Sequence, residues 1–127
     1  MAKALRHRGF HGVGLNELLT DAQAPKGVLY HHFPGGKHAL AVAAVDETAA
    51  QIVRSLDGLI ARRADPVAAL RQWLHASLAH LQDSGFERGC PLATVALETS
   101  PDDAALRAAL AKAFALLRGR VAALLAA

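Results

Sequence analysis

Apolar positions recur along this chain at threes, fours and sevens, the interval that gathers side chains on one face of an α-helix. Met1 to Arg8 reads as a short first helix of about 12 Å, stopped by Gly9 and followed by Phe10 as an apolar anchor. A second short helix is predicted over Leu15 to Ala22, with Leu15, Leu18 and Leu19 on one face. Gly14 precedes it, where a Ser or Thr would supply a capping hydroxyl. Gln23-Ala24-Pro25 makes the turn, and Pro25, excluded from a helix interior, suits the first turn of a third short helix ending near His32. Phe33-Pro34-Gly35-Gly36 then breaks the chain. Lys37 opens a long helical stretch to about Ala64, with Leu40, Val45, Ile52, Leu56 and Leu59 as its apolar side.

The second half repeats the pattern with clearer caps. Asp65-Pro66 is a cap followed by a first-turn proline, and the helix it starts carries Val67, Leu70, Leu74, Leu78 and Leu81 as a stripe before stopping near Ser84-Gly85. Cys90 to Glu98 is a shorter piece. Ser100-Pro101-Asp102-Asp103 predicts a capping serine, a proline and two acids at the positive end of the last helix dipole. Its expected stripe is Leu106, Leu110, Phe114, Leu117, Val121 and Leu124. Ala122 to Ala127 runs apolar without a stop signal, which reads as a fragment or as an end covered by a partner.

Composition agrees with helix throughout. Of 127 residues 53% are hydrophobic and 20% charged, ordinary globular usage that excludes a wholly disordered or collagenous chain. Ala and Leu dominate while β-branched residues are sparse, so the fold class is all-α. The length suits one domain or two small helical units sharing a core. The division expected is a smaller unit over 1–40 and a larger helical unit over 41–127. The single Cys90 rules out an internal disulfide or a cysteine-based zinc set, and no apolar run has signal-peptide or membrane-spanning length. A cytoplasmic protein with no membrane partner is expected.

Charge sharpens the division. The net +3 lies entirely in residues 1–40, where Lys3, Arg6, Arg8, Lys26 and Lys37 face only Glu17 and Asp21; residues 41–127 carry nine charges of each sign. Five of the seven histidines also fall in the first 40 residues, so a polyanion should meet that end.

Leu15 to Phe33 is two short helices joined by a brief turn, the plan in which the second helix enters the major groove of DNA. Lys26 places a charge beside the unpaired N–H groups of that helix's first turn, where phosphate or base edges are met. Gly27 permits close approach, and Val28 can offer methyls to a thymine methyl. With Leu29 and Phe33 inward, Tyr30 and His31 point out, and Lys37 can grip the backbone from the start of the next helix.

Gly9-Phe10, Leu15-Asn16-Glu17-Leu18 and the run Pro25-Lys26-Gly27-Val28-Leu29-Tyr30-His31-His32-Phe33-Pro34-Gly35-Gly36-Lys37 resemble the DNA-binding domain of the TetR/AcrR regulators. The Phe-Pro-Gly-Gly-Lys connection, with Gly89-Cys90-Pro91-Leu92 and Glu98-Thr99-Ser100-Pro101, is similar to the LmrA/YxaF-like subgroup. The resemblance covers about residues 5–120. It implies a homodimeric regulator, usually a repressor, whose paired reading heads bind a palindromic double-stranded operator and whose later helices enclose an effector pocket. It places Lys26, Gly27 and Val28 at the DNA-facing start of the reading helix, Tyr30, His31 and Lys37 on phosphates, and His32 and Phe33 in support of the fold. Val28 stands where Ser or Thr is frequent, Gln23 where the turn usually has Gly, and Gly14 where a hydroxyl caps; Gln in a left-handed turn costs about 1 kcal/mol. The first helix is shorter than in the family, and the two C-terminal helices of its dimer interface do not follow here.

The same resemblance places Trp73, Ser77, Phe86, Cys90, Leu92, Val95 and Phe114 on the segments that line the effector cavity, although a helical bundle buries such residues with or without a ligand. An apolar wall predicts a hydrophobic or aromatic small molecule. His7, His11, His31, His32 and His38 lack a helical pair with a carboxylate, so no metal or other cofactor is expected. Cys90 reads as a buried small residue rather than a nucleophile, and no Ser-His-Asp or paired-carboxylate spacing marks an enzyme. The competing reading is a helical interaction protein that keeps the fold without reading DNA, pairing through an exposed Leu117-Val121-Leu124 stripe.

Overall fold

A computed structural model of the chain describes Lys3, Gly12 and residues 14–62 and 65–126. The expected first helix, with Gly9 and Phe10, lies outside these. Among the described residues there are six helices and no strand: α1 (Leu15–Asp21), α2 (Lys26–His32), α3 (Lys37–Arg62), α4 (Pro66–Asp83), α5 (Pro91–Glu98) and α6 (Ala104–Ala126). No described helix is long and apolar enough to cross a membrane.

The bundle is built on α3, which packs against α4, α5 and α6. Its core joins Ala41, Ala44, Val45 and Ala49 of α3 to Leu92 and Val95 of α5 and Leu106, Ala109, Leu110 and Ala113 of α6. Many of these are alanines, whose small side chains let helix backbones approach closely. Val45 and Leu56 of the expected apolar side are buried and Leu40, Ile52 and Leu59 are half-buried, while Ala41, Ala44 and Thr48 join the buried face. On α6 the expected Leu106 and Leu110 are buried together with Ala109 and Ala113, and Phe114 departs from the stripe at 40% exposure. Leu117 and Val121 are half-buried and Leu124 is buried, so the stripe expected to pair with another chain faces inward instead. On α4 the expected stripe divides, with Val67, Leu74 and Leu78 each about half exposed and Leu70 and Leu81 half-buried.

The caps follow local chemistry. Asp65 accepts a hydrogen bond from the Val67 N–H at 3.0 Å, with Pro66 opening α4. The helix ends in a Schellman turn: the Gly85 N–H donates to Gln82 and the Phe86 N–H to Leu81, with Gly85 at φ 66°. Phe86 follows at φ 65°, and its ring is largely exposed. At α6 the cap is Asp103 rather than Ser100: Asp103 Oδ1 accepts from the Leu106 N–H at 3.1 Å, whereas the Ser100 hydroxyl accepts from the Asp102 N–H and shapes the preceding turn. The other oxygen, Asp103 Oδ2, lies 2.5 Å from His38 Nδ1. One carboxylate thus caps α6 and ties it to the first turn of α3. Farther along, Arg120 reaches Asp57 with both Nε and Nη2, joining α6 to α3 again.

Candidate nucleic-acid interface and ligand cleft

The first described helix is α1, whose N-cap Gly14 offers no side-chain bond. The helix stops by the same device as α4, but with Gln23 in place of glycine. Gln23 sits at φ 52°, its N–H donates to Thr20, and the Ala24 N–H donates to Leu19 at 2.9 Å. These bonds offset the cost of left-handed backbone in a residue with a Cβ. Pro25 follows as the N-cap of α2, one place before the first turn expected for it.

Leu29 is the buried residue of α2, and Phe33 is half-buried just past its end. At 100° per residue this inward pair fixes the rest. Gly27 and His31 occupy the outermost side, Lys26 and Tyr30 flank it together, and Val28 and His32 flank it opposite. All six are exposed, and nothing lies within 4 Å of where a Cβ on Gly27 would stand. The His31 and His32 rings meet edge-on with centroids 5.1 Å apart.

Gly36 connects this helix to the body. It is buried at φ 68°, its N–H donates to the Phe33 carbonyl at 2.8 Å, and its own carbonyl accepts from the Leu40 N–H. A Cβ there would stand 3.4 Å from Tyr30 Cε1. Glycine therefore serves twice, by taking left-handed backbone and by leaving a seat for the Tyr30 ring beside Lys37. The motif marks Gly36 as a chain breaker; its contact with Tyr30 depends on tertiary geometry and was not legible. Lys37 is half-buried in the first turn of α3. Lys26, Gly27, Val28, Tyr30 and His31 share one small surface, and Lys37 lies at its edge.

A second feature is an open cleft of about 560 Å³ between α3, α4 and the segment entering α5. Trp73, Ser77 and Cys90 line it, together with Gln51, Ile52 and Ser55 of α3, His80 and Leu81 of α4, and Arg88. The other four residues proposed for such a cavity lie elsewhere. Leu92 and Val95 are fully buried in the bundle core, whereas Phe86 and Phe114 face solvent. Cys90 is exposed rather than buried. Arg88 and His80 carried no pattern that singled them out, since loop and rim positions obey no helical period. Among the described residues no three His, Cys, Asp or Glu side chains gather where they could hold a metal ion.

Residues 2–44 match the family model for bacterial regulatory proteins of the tetR family, and residues 66–127 match the model for the C-terminal domain of LmrA/YxaF-like transcriptional regulators. The chain is 34% identical over 107 residues to the HTH-type transcriptional regulator LmrA of Bacillus subtilis (strain 168), covering 84% of this chain and 57% of that protein. It is 32% identical to the uncharacterized HTH-type transcriptional regulator YxaF of the same strain, covering 84% of this chain and 56% of that protein. A crystal structure of regulatory protein TetR from Rhodobacter sphaeroides superposes with a TM-score of 0.84 at 30% identity, over 98% of this chain and 66% of that one. The chain spans a little over half the length of the two curated relatives.

Proposed function

Since the chain belongs to the TetR family of bacterial regulators, with an LmrA/YxaF-like C-terminal domain, we propose that it is a ligand-responsive repressor that binds a palindromic duplex operator as a homodimer. The matched models and relatives are regulators, not enzymes. The carrying observation is the exposed side of α2, where Lys26, Gly27, Val28, Tyr30 and His31 stand clear of the core while Leu29 anchors the helix from behind. Residues 1–40 act as the reading unit and 41–127 as the regulatory one. Gly27 and Val28 enter the major groove, and Lys26, Tyr30, His31 and Lys37 meet phosphates and base edges around it.

Two such heads read successive major grooves only when held about 34 Å apart. The helix that sets their position in each subunit is α3, which starts at Lys37 beside the reading helix and lines the cleft at Gln51, Ile52 and Ser55. A hydrophobic or aromatic effector bound there, against Trp73, Ser77 and Cys90, acts on the same rod that holds the head. An effector favouring the misaligned form by about 3 kcal/mol weakens operator binding roughly 150-fold. Mobility-shift titrations of Tyr30→Ala and Lys37→Ala test the reading: both variants should lose affinity for every duplex, specific or not. Unchanged affinity in both would remove the assignment.

A further inference from the structure

The cleft has an apolar floor and an unbalanced rim. Ile52, Trp73 and Leu81 supply the floor, while Arg88 and His80 stand among its lining residues and no acid does. Asp83 and Glu87, the acids nearest Arg88 in sequence, are not part of the lining. Arg88 donates its backbone N–H to the Ser84 hydroxyl at 3.0 Å, which fixes its main chain at the cleft. Its guanidinium has no carboxylate or carbonyl partner among the described residues, unlike Arg54, Arg107 and Arg120. A guanidinium is a planar fork matched to a carboxylate, and low-dielectric walls concentrate the field of a charge at their mouth. The volume, about 560 Å³, lies in the range of small-molecule sites.

We propose that this cleft takes small organic anions with an apolar or aromatic body, the body lying against Trp73, Ile52 and Leu81 and the carboxylate pairing with Arg88. The proposal rests on the effector reading above and narrows it, from apolar molecules in general to those carrying one negative charge at the end that meets the rim. The charge stays near solvent, so pairing costs little desolvation, while the body gains by leaving water.

Trp73 is the chain's one tryptophan, so its emission reports on the cleft directly. The experiment titrates 3-phenylpropanoate and octanoate, each against its uncharged amide, at constant ionic strength. Each acid should bind at least about tenfold more tightly than its amide. Arg88→Gln should abolish that preference, whereas Arg118→Gln, at an exposed position of α6 outside the lining, should keep it. Equal binding of acid and amide, no response to any of the four, or a preference that survives in Arg88→Gln overturns the proposal. So does an equal loss in Arg118→Gln, which would mark a general charge effect. A parallel mobility-shift assay separates the two ideas. Acid-selective binding without release of DNA removes the effector role but leaves the anion site. Release by acid and amide alike keeps the effector role and removes the anion site.

Discussion

The helix pair α1 and α2, proposed as the reading head, and the bundle are held together by different physics. From α3 to α6 the chain closes around a continuous core of Ala, Val and Leu, fully buried at Ala41, Leu92, Val95 and Leu106. In the described part of the head, α1 buries no residue and α2 buries only Leu29, at 9% exposure. Its geometry comes instead from backbone devices: the left-handed stop at Gln23, the proline cap of α2, and the Gly36 seat under Tyr30. The contrast teaches why the head can present Lys26, Gly27, Val28 and His31 outward. No packing demand competes for those side chains, so their identities answer to whatever docks there.

Substitutions at the two ends of this contrast should behave in opposite ways. Leu106→Ala, in the middle of the core, should cost about 2 to 5 kcal/mol and lower Tm by roughly 10 °C; thermal unfolding that barely shifts would show that the core lies elsewhere. Gly36→Ala forces a Cβ into left-handed backbone against the Tyr30 ring, at about 1 to 2 kcal/mol. Its loss should be local to the head, seen as faster amide exchange over 26–36 and weaker DNA binding, with exchange in α4 to α6 unchanged. Asp103→Ala removes the α6 cap and the tie to His38, and should cost about 1 kcal/mol by denaturant midpoint; no shift would mean that solvent replaces both contacts. Gly27→Ala sharpens the comparison most finely. It should raise head stability by about 0.5 to 1 kcal/mol yet weaken duplex binding, because a methyl then stands on the outermost side of α2. A variant that gained on both counts would place the DNA contact on another face.

Among the described residues, the order and type of the helices were legible in the sequence because Pro, Gly and Asp mark ends by local rules that tertiary contacts seldom overturn. Asp65-Pro66 and Ser84-Gly85 bound α4 as expected, and the Leu29/Phe33 pair oriented α2 correctly. Which face each long helix buries was less legible. On α3 and α6 the expected Val45, Leu56, Leu106, Leu110 and Leu124 are buried, but the hydrophobic period also marks Leu40, Leu59 and Phe114, which are not, and passes over the buried alanines beside them. The α6 cap moved three residues, from Ser100 to Asp103, since both types cap equally well and only the helix start decides between them. The cleft was least legible: Trp73, Ser77 and Cys90 line it, but Arg88 belongs to a loop whose side chains follow no period.

The exposed side of α2, with Lys37 at its edge, is the surface proposed to meet DNA. The most direct test is the salt dependence of duplex affinity for the protein and for its Lys26→Ala/Lys37→Ala variant. If both lysines neutralise phosphates, the slope of log Kobs against log salt should become shallower by about 1.8, and affinity should fall for specific and random duplexes alike. Parallel lines, with affinity unchanged, would contradict the account.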